Sequence, residues 1–378
     1  MELIPLKADA LRRALWHIGA RTALGRLCLR DRAARVSVLA AFHILIALGL
    51  TLAAPLWLLL LGPLVLGVPH VLSDVRVLLL SPDRPLSRPQ SIALLAPLAA
   101  MTLLRAALVL GASLHPSAEG ICGAIAVAGV AACSRGRSRI RALCLMGAFG
   151  LLVLSLTAPM LLAVVLGHLH NFVAFALWAA FMRPLRNLRN PSGTPTVFGT
   201  PMVLILFAAG IAILCSGVGE RIAFAAPALG LTVDDLVLTL APGLPANIAL
   251  RLLSVFAFAQ AVHYALWVRV IPETRADGPP APTFRRGWRS LQSDLGRAGT
   301  AIAILCAIAL PVCAFIHPAG PAAIRNTYLS LVLFHGWLEL AASARLLVER
   351  NSVANSGANS VANPISNTVA NSVERRAA

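Results

Sequence analysis

Lysine occurs once in this chain, at Lys7, and charged side chains make up only 12% of its 378 residues. Soluble domains carry about 25% charged residues, so the soluble globular class is excluded at the outset. Aspartate and glutamate number 15 against 32 lysines and arginines, a formal net charge of +17. In a soluble protein that excess would point to nucleic acid. Here the arginines stand in short segments between apolar runs, where positive charge sets membrane topology, and no nucleic-acid partner is expected.

Other absences narrow the field. The seven cysteines include no C-x-x-C pair, and most lie inside apolar runs; they read as small core residues, not as disulfides or metal ligands. There is no P-loop, dinucleotide-binding fingerprint or G-x-S-x-G. ATP-driven transport, nicotinamide chemistry and serine hydrolysis therefore have no support. No cleavable signal peptide is visible, because the first apolar run begins near Val36, after an Arg-rich segment.

What the chain has is apolar bulk: 58% hydrophobic residues and a mean hydropathy of +0.80. Spanning hydrocarbon as a helix takes roughly 20 such residues. Continuous runs such as 91–113 do not alternate, which excludes a membrane β-barrel. The expected fold class is an all-α polytopic membrane protein, a bundle of about 10 transmembrane helices. They are placed at about 37–55, 57–79, 91–113, 118–134, 140–157, 159–182, 197–217, 247–270, 299–317 and 323–347.

The expected organisation follows from these runs. A cytoplasmic Arg-rich segment 1–36 precedes an eight-span membrane block 37–270. A cytoplasmic linker 271–298, rich in Pro, Gly and Arg, leads to a final two-span hairpin 299–348 and a low-complexity, disordered tail 349–378. The longest outer segment holds apolar stretches at 222–229 and 236–241, too short to span and suited to the interface or to re-entry.

Loop charge tests the span list. The first segment is basic, as are the segments after the second, fourth, sixth and eighth spans and after the tenth; Arg135, Arg137, Arg139 and Arg141 show the pattern. The intervening segments hold little beyond Glu119, Glu220 with Arg221, and Asp234 with Asp235. This alternation puts both termini in the cytoplasm.

An ionisable group inside hydrocarbon is costly, so each is a functional candidate by default. The candidates are His43, His70, Asp74, Arg105, His168, His170, His263, His335 and Glu339, with Asn171, Gln260 and Tyr264 nearby. At about 1.5 Å of rise per residue, His70, His168, His170, His263 and His335 fall within about 10 Å of one depth, with His43 in the inner part of the same slab. His70 with Asp74 and His335 with Glu339 are spaced i, i+4 and so share a helix face. Each carboxylate can ligate beside its histidine or orient the ring. His168 and His170 lie about 200° apart around a helix, so one ligates and the other bonds elsewhere. Gly67 and Pro69 imply a kink before His70.

Imidazole with carboxylate suits Fe, Zn, Mn or Cu; the absence of Cys or Met ligands argues against Cu(I). The ligand set is therefore His70, Asp74, His168, His170, His263, His335 and Glu339, and Tyr264 and Gln260 are candidate catalytic residues that hydrogen-bond substrate or oxygen. Arg105 is expected to pair with Asp74 or Glu339, or to meet an anionic substrate. Phe172, Phe175 and Trp178 read as packing and interface anchors.

The stretch Gly67-Val68-Pro69-His70-Val71-Leu72-Ser73-Asp74 resembles the G-L-P-H-G-A-L-D signature of the Brp/Blh family of bacterial membrane proteins, regarded as iron-dependent β-carotene cleaving oxygenases. Val71 and Leu72 replace the family's Gly-Ala, and His168-Leu169-His170 stands nearest its later H-x-x-x-H. The resemblance implies His70 as a metal ligand, Asp74 as its partner, iron in preference to zinc, and a bacterial inner (cytoplasmic) membrane. The expected function is a membrane-embedded, His-ligated metalloenzyme, a non-haem iron oxygenase or related oxidoreductase acting on a hydrophobic small molecule drawn from the lipid bilayer. The alternative is a proton- or cation-coupled transporter using the same residues, against which no internal repeat between the two halves is seen. A structural protein without metal is the third class. Nothing in the sequence sets the oligomeric state.

Overall fold

The computed structural model describes residues 3–81, 85–187, 199–218, 228–275 and 283–349, and among them no strand forms. The tail 351–378, part of the linker and most of the 222–229 stretch lie outside the described residues. Among the described residues, eight helical stretches, some of them joined from shorter helices, are long and apolar enough to cross a membrane: Arg32–Ala53, Pro55–Leu78, Arg88–Val109, Ser138–Thr157, Pro159–Ala179, Ala246–Thr274, Phe284–Ile316 and Gly320–Glu349. Ser117–Cys133 and Thr200–Cys215, at the expected fourth and seventh spans, are apolar but shorter. Their outer faces are greasy; Leu103, Ile205 and Ile316 are each more than two-thirds exposed.

Packing divides the chain into two compact units that cut across the expected blocks: 1–85 with 163–335, and 86–162 with 336–378. The first opens with two short helices, Leu3–Gly19 and Ala23–Arg30, ahead of the first apolar helix. Asp31 starts that helix by accepting from the amides of Ala33 and Ala34 at 2.8 and 3.2 Å, which satisfies two of its orphan donors. The core of this unit gathers Leu56, Leu59, Leu60, Leu64, Leu253 and Phe256 with Leu236 of the short helix Val233–Leu240. A second layer is aromatic: Phe207 stacks between Phe175 and Phe258, with ring centroids 4.1 and 5.3 Å away. Aromatic pairs of this kind add cohesion beyond the apolar area they bury.

Residues 284–298, expected in the linker, are helical. Phe284–Ile316 starts at Thr283, whose hydroxyl accepts from the Arg286 amide at 3.0 Å, and breaks at Gly296 (φ 71°). The two remaining first-turn amides, Phe284 and Arg285, donate to the Asp9 carboxylate at 2.8 and 3.1 Å. A side chain 275 residues away thus completes the cap, which no local pattern announces. Burial pushes the Asp9 carboxyl up, but those amides and Arg12 hold it below its usual value. Its contribution is therefore present above the ordinary aspartate pKa and is lost as pH falls through the lowered one. Asp9→Ala is expected to cost about 1–2 kcal/mol locally, read as faster hydrogen exchange at the Phe284 and Arg285 amides with little change elsewhere.

The second unit packs Arg88–Val109, Ser117–Cys133 and Ser138–Thr157 with the part of Phe334–Glu349 that follows His335. Glycines on Ser117–Cys133 admit close neighbours: Ser155 at Gly120, the Trp337 ring at Gly123, and Ala93 at Gly129. Small residues let membrane helices approach closely. Arg105 pairs with Glu119 across this helical hairpin, not with Asp74 or Glu339 as expected. The pairing needs a fold-back that loop charge alone does not reveal. All seven cysteines are free.

Candidate metal centre

Three of the helices that carry the candidate histidines are interrupted near them. The expected kink before His70 takes the form of a π-helical turn, Gly62–Leu66, followed by the α-helix Gly67–Leu78. Pro63 has no N–H to offer the Leu59 carbonyl four residues back, and the buried guanidinium of Arg325 donates to that carbonyl at 2.7 Å. A second π-helical turn, Leu266–Val270, follows His263 and Tyr264. Its Trp267 carbonyl accepts from the Ser73 hydroxyl at 2.6 Å. The last apolar segment, expected as one helix, is two, Gly320–Leu331 and Phe334–Glu349, so His335 stands in the first turn of the second. Irregular backbone of this kind concentrates at functional sites.

Four imidazoles come together, His70, His263 and His335 from beside these interruptions and His170 from the unbroken helix Pro159–Asn187. Nε2 of His70 and Nε2 of His263 are 2.7 Å apart. The His335 ring lies 4.9 Å from that of His70, and His170 lies 5.1 Å from His263 and 5.4 Å from His335. One ligating nitrogen from each of His70, His263 and His335 fits within 4.8 Å of the others. His70 is 1% exposed and His263 is fully buried. Asp74, also fully buried, brings Oδ2 to 3.4 Å from His70 Nε2.

The hydrogen bonds fix which nitrogen each ring presents. His170 Nδ1 donates to the Gly167 carbonyl at 2.9 Å, and His335 Nδ1 donates to Val332. Carbonyls accept only, so each ring carries a proton on Nδ1, and in its neutral form holds Nε2 as a lone-pair donor. Metal-ligating histidines are oriented this way. A cluster of imidazoles with one buried carboxylate is a donor set that fits a first-row divalent ion.

The other expected residues fall as follows. His168 points away from the cluster: its Nε2 meets the Leu240 carbonyl at 2.9 Å and its ring packs on Phe256 at 5.1 Å. His43 donates from Nδ1 to the Leu39 carbonyl at 2.7 Å and lines a separate cavity. Glu339, in the other compact unit, is fully buried one helical turn beyond His335. Tyr264 sets its ring 5.0 Å from that of His70, and Gln260 donates to its hydroxyl at 3.3 Å. Sequence reasoning passed over two residues. Arg325 is 6% exposed and sits in the helix Gly320–Leu331; Pro63 was the clue, because it leaves a carbonyl that needs a donor. Tyr328 packs against Gly67 in the first turn of the His70 helix.

A Cβ at Gly67 would come within 2.5 Å of the Tyr328 ring. Gly67→Ala is therefore expected to cost about 1–3 kcal/mol through overpacking and to lower metal occupancy by tilting the His70 helix. Adding Tyr328→Ala should recover most of both losses; unfolding in detergent and elemental analysis of the single and double variants check this.

No family model matches the chain, and no curated protein or solved structure matches it.

Proposed function

We propose that this is a multi-pass membrane protein of about ten spans with both termini in the cytoplasm, and that its histidine cluster holds one catalytic metal ion. The observation that carries the reading is the convergence of His70, His170, His263 and His335, with two rings locked by backbone carbonyls in the tautomer a ligand needs. Ten apolar helices and alternating loop charge support the membrane assignment. Asp74 would hold and orient His70, while Tyr264 and Gln260 flank the cluster as hydrogen-bonding groups.

The proposed activity is that of a non-haem iron oxygenase or related oxidoreductase on a lipid-soluble substrate in a bacterial inner membrane, with iron favoured over zinc. The resemblance at Gly67–Asp74 supports that choice of chemistry. A bound iron would supply redox chemistry with molecular oxygen; the chain's own part is to desolvate the site, fix the ring tautomers and exclude water. The test is elemental mass spectrometry on the purified protein, followed by oxygen uptake with membrane-lipid extracts. Stoichiometric iron and lipid-dependent uptake support the reading. A folded protein that takes up no metal on reconstitution overturns it, and proton or cation flux in liposomes would then support the transporter alternative.

A further inference from the structure

A cavity of about 150 Å³ lies beside the histidine cluster within the first unit, walled by the helix Arg32–Ala53, the π-helical turn Gly62–Leu66 and the helix Ala246–Ala265. Ile46, Leu50 and Leu66 line it and are themselves 43%, 48% and 38% exposed, so it opens on the apolar outer face. Its polar lining comes from His43, Gln260 and Tyr264, and no Asp, Glu, Lys or Arg lines it. Tyr264 is a wall shared with the metal centre, because its ring also rests on His70.

We infer that this cavity binds the hydroxyl end of a long-chain or isoprenoid alcohol that enters sideways from the bilayer. Each part of the description follows from the lining. The mouth is apolar and outward-facing, so the occupant arrives from lipid and not from water. The volume is close to that of an apolar cavity that accommodates benzene; only an end group and its nearest carbons enter, and the rest of the chain stays in the bilayer. A carboxylate or phosphate would be buried with no counter-charge, at prohibitive cost, so the end group is neutral. His43 uses Nδ1–H on the Leu39 carbonyl, which leaves Nε2 as an acceptor in search of a donor. A neutral end group with a hydrogen to donate meets that demand, and a hydroxyl does so. The bound end lies one aromatic ring from His70, which makes this alcohol the class of substrate for the proposed metal centre. That last link rests on the metalloenzyme reading, whereas the binding itself does not.

The test uses the full chain in phosphatidylcholine vesicles with a hexadecanol bearing a photoreactive diazirine next to the hydroxyl end. Labelling is expected within 43–66 and 260–265, competed by hexadecanol and at least tenfold less by hexadecane or palmitate. Leu50→Trp at the mouth should cut labelling about tenfold while leaving metal content unchanged, and Ala47→Trp should do the same from inside. His43→Leu should remove the preference for alcohol over alkane. Labelling spread over the outer helices, or competed equally by hexadecane, would overturn the proposal. Labelling confined to the cavity of a protein that binds no metal would uphold this site and overturn the metalloenzyme reading instead.

Discussion

His70→Ala, His263→Ala and His335→Ala are each expected to reduce bound metal from about one ion per chain to background, because each removes a ring from a buried donor set that a water cannot replace in kind. His168→Ala should leave metal content unchanged, although it is only two residues from His170 in sequence, because its Nε2 is engaged by the Leu240 carbonyl. Its cost should be about 1 kcal/mol of stability, that of one ordinary hydrogen bond. His170→Ala should weaken binding without abolishing it, since the three rings of His70, His263 and His335 still come together. The contrast between His168 and His170 is informative because composition and depth treat the two alike. Elemental analysis of the five variants, each checked for a monodisperse elution profile, reads the result. Metal that survives His70→Ala, or disappears with His168→Ala, would contradict the assigned geometry.

The largest effect on stability is expected at Glu273. This carboxylate is fully buried and receives Arg35 at 2.9 Å and Arg269 at 3.2 Å. Arg35 is itself 5% exposed and also donates to the Cys28 carbonyl at 3.0 Å, while Arg32 donates to the Glu273 carbonyl at 3.0 Å and to that of Thr274. The network ties the helix Ala23–Arg30 and the start of Arg32–Ala53 to the end of the segment that carries His263 and Tyr264. Glu273→Ala removes this acid from beside the buried Arg35 guanidinium, a change that costs about 3–5 kcal/mol. Replacing both partners with apolar residues, as in Arg35→Leu with Glu273→Leu, should recover most of that loss, since a well-packed apolar pair replaces a buried ion pair at little cost. Unfolding in mixed micelles tests both variants; equal destabilisation by the single and double changes would show that Arg35 does not depend on Glu273.

The helices were legible because apolar runs and loop charge are properties of the chain itself. The four-ring cluster was partly legible: common depth and the i, i+4 carboxylates marked His70, His263 and His335, and the 200° offset already required His168 and His170 to part. Which of the two turned inward was not readable, because that depends on rotation about the helix axis, and here on the Leu240 carbonyl and the Gly167 carbonyl. The backbone interruptions were visible only where proline and glycine reported them, at Gly62–Gly67. The turn Leu266–Val270 and the break before Phe334 contain neither proline nor glycine, and only packing makes them. Arg32, Arg35 and Arg269 read as basic residues beside apolar runs, yet their engagement with Glu273 could not be seen, since that partner lies more than two hundred residues from the first two. The alcohol-binding cavity was invisible for the same reason: His43, Gly62 and Gln260 are brought to it by three separate helical segments.

X-ray absorption at the metal edge of the purified, metal-loaded protein tests the central claim most directly, because it counts imidazoles around the ion. The expected result is three or four histidine nitrogens at about 2.0–2.1 Å, falling by one in His170→Ala. A first shell of oxygen or sulfur without imidazole, or an edge signal absent after reconstitution of folded protein, would contradict it.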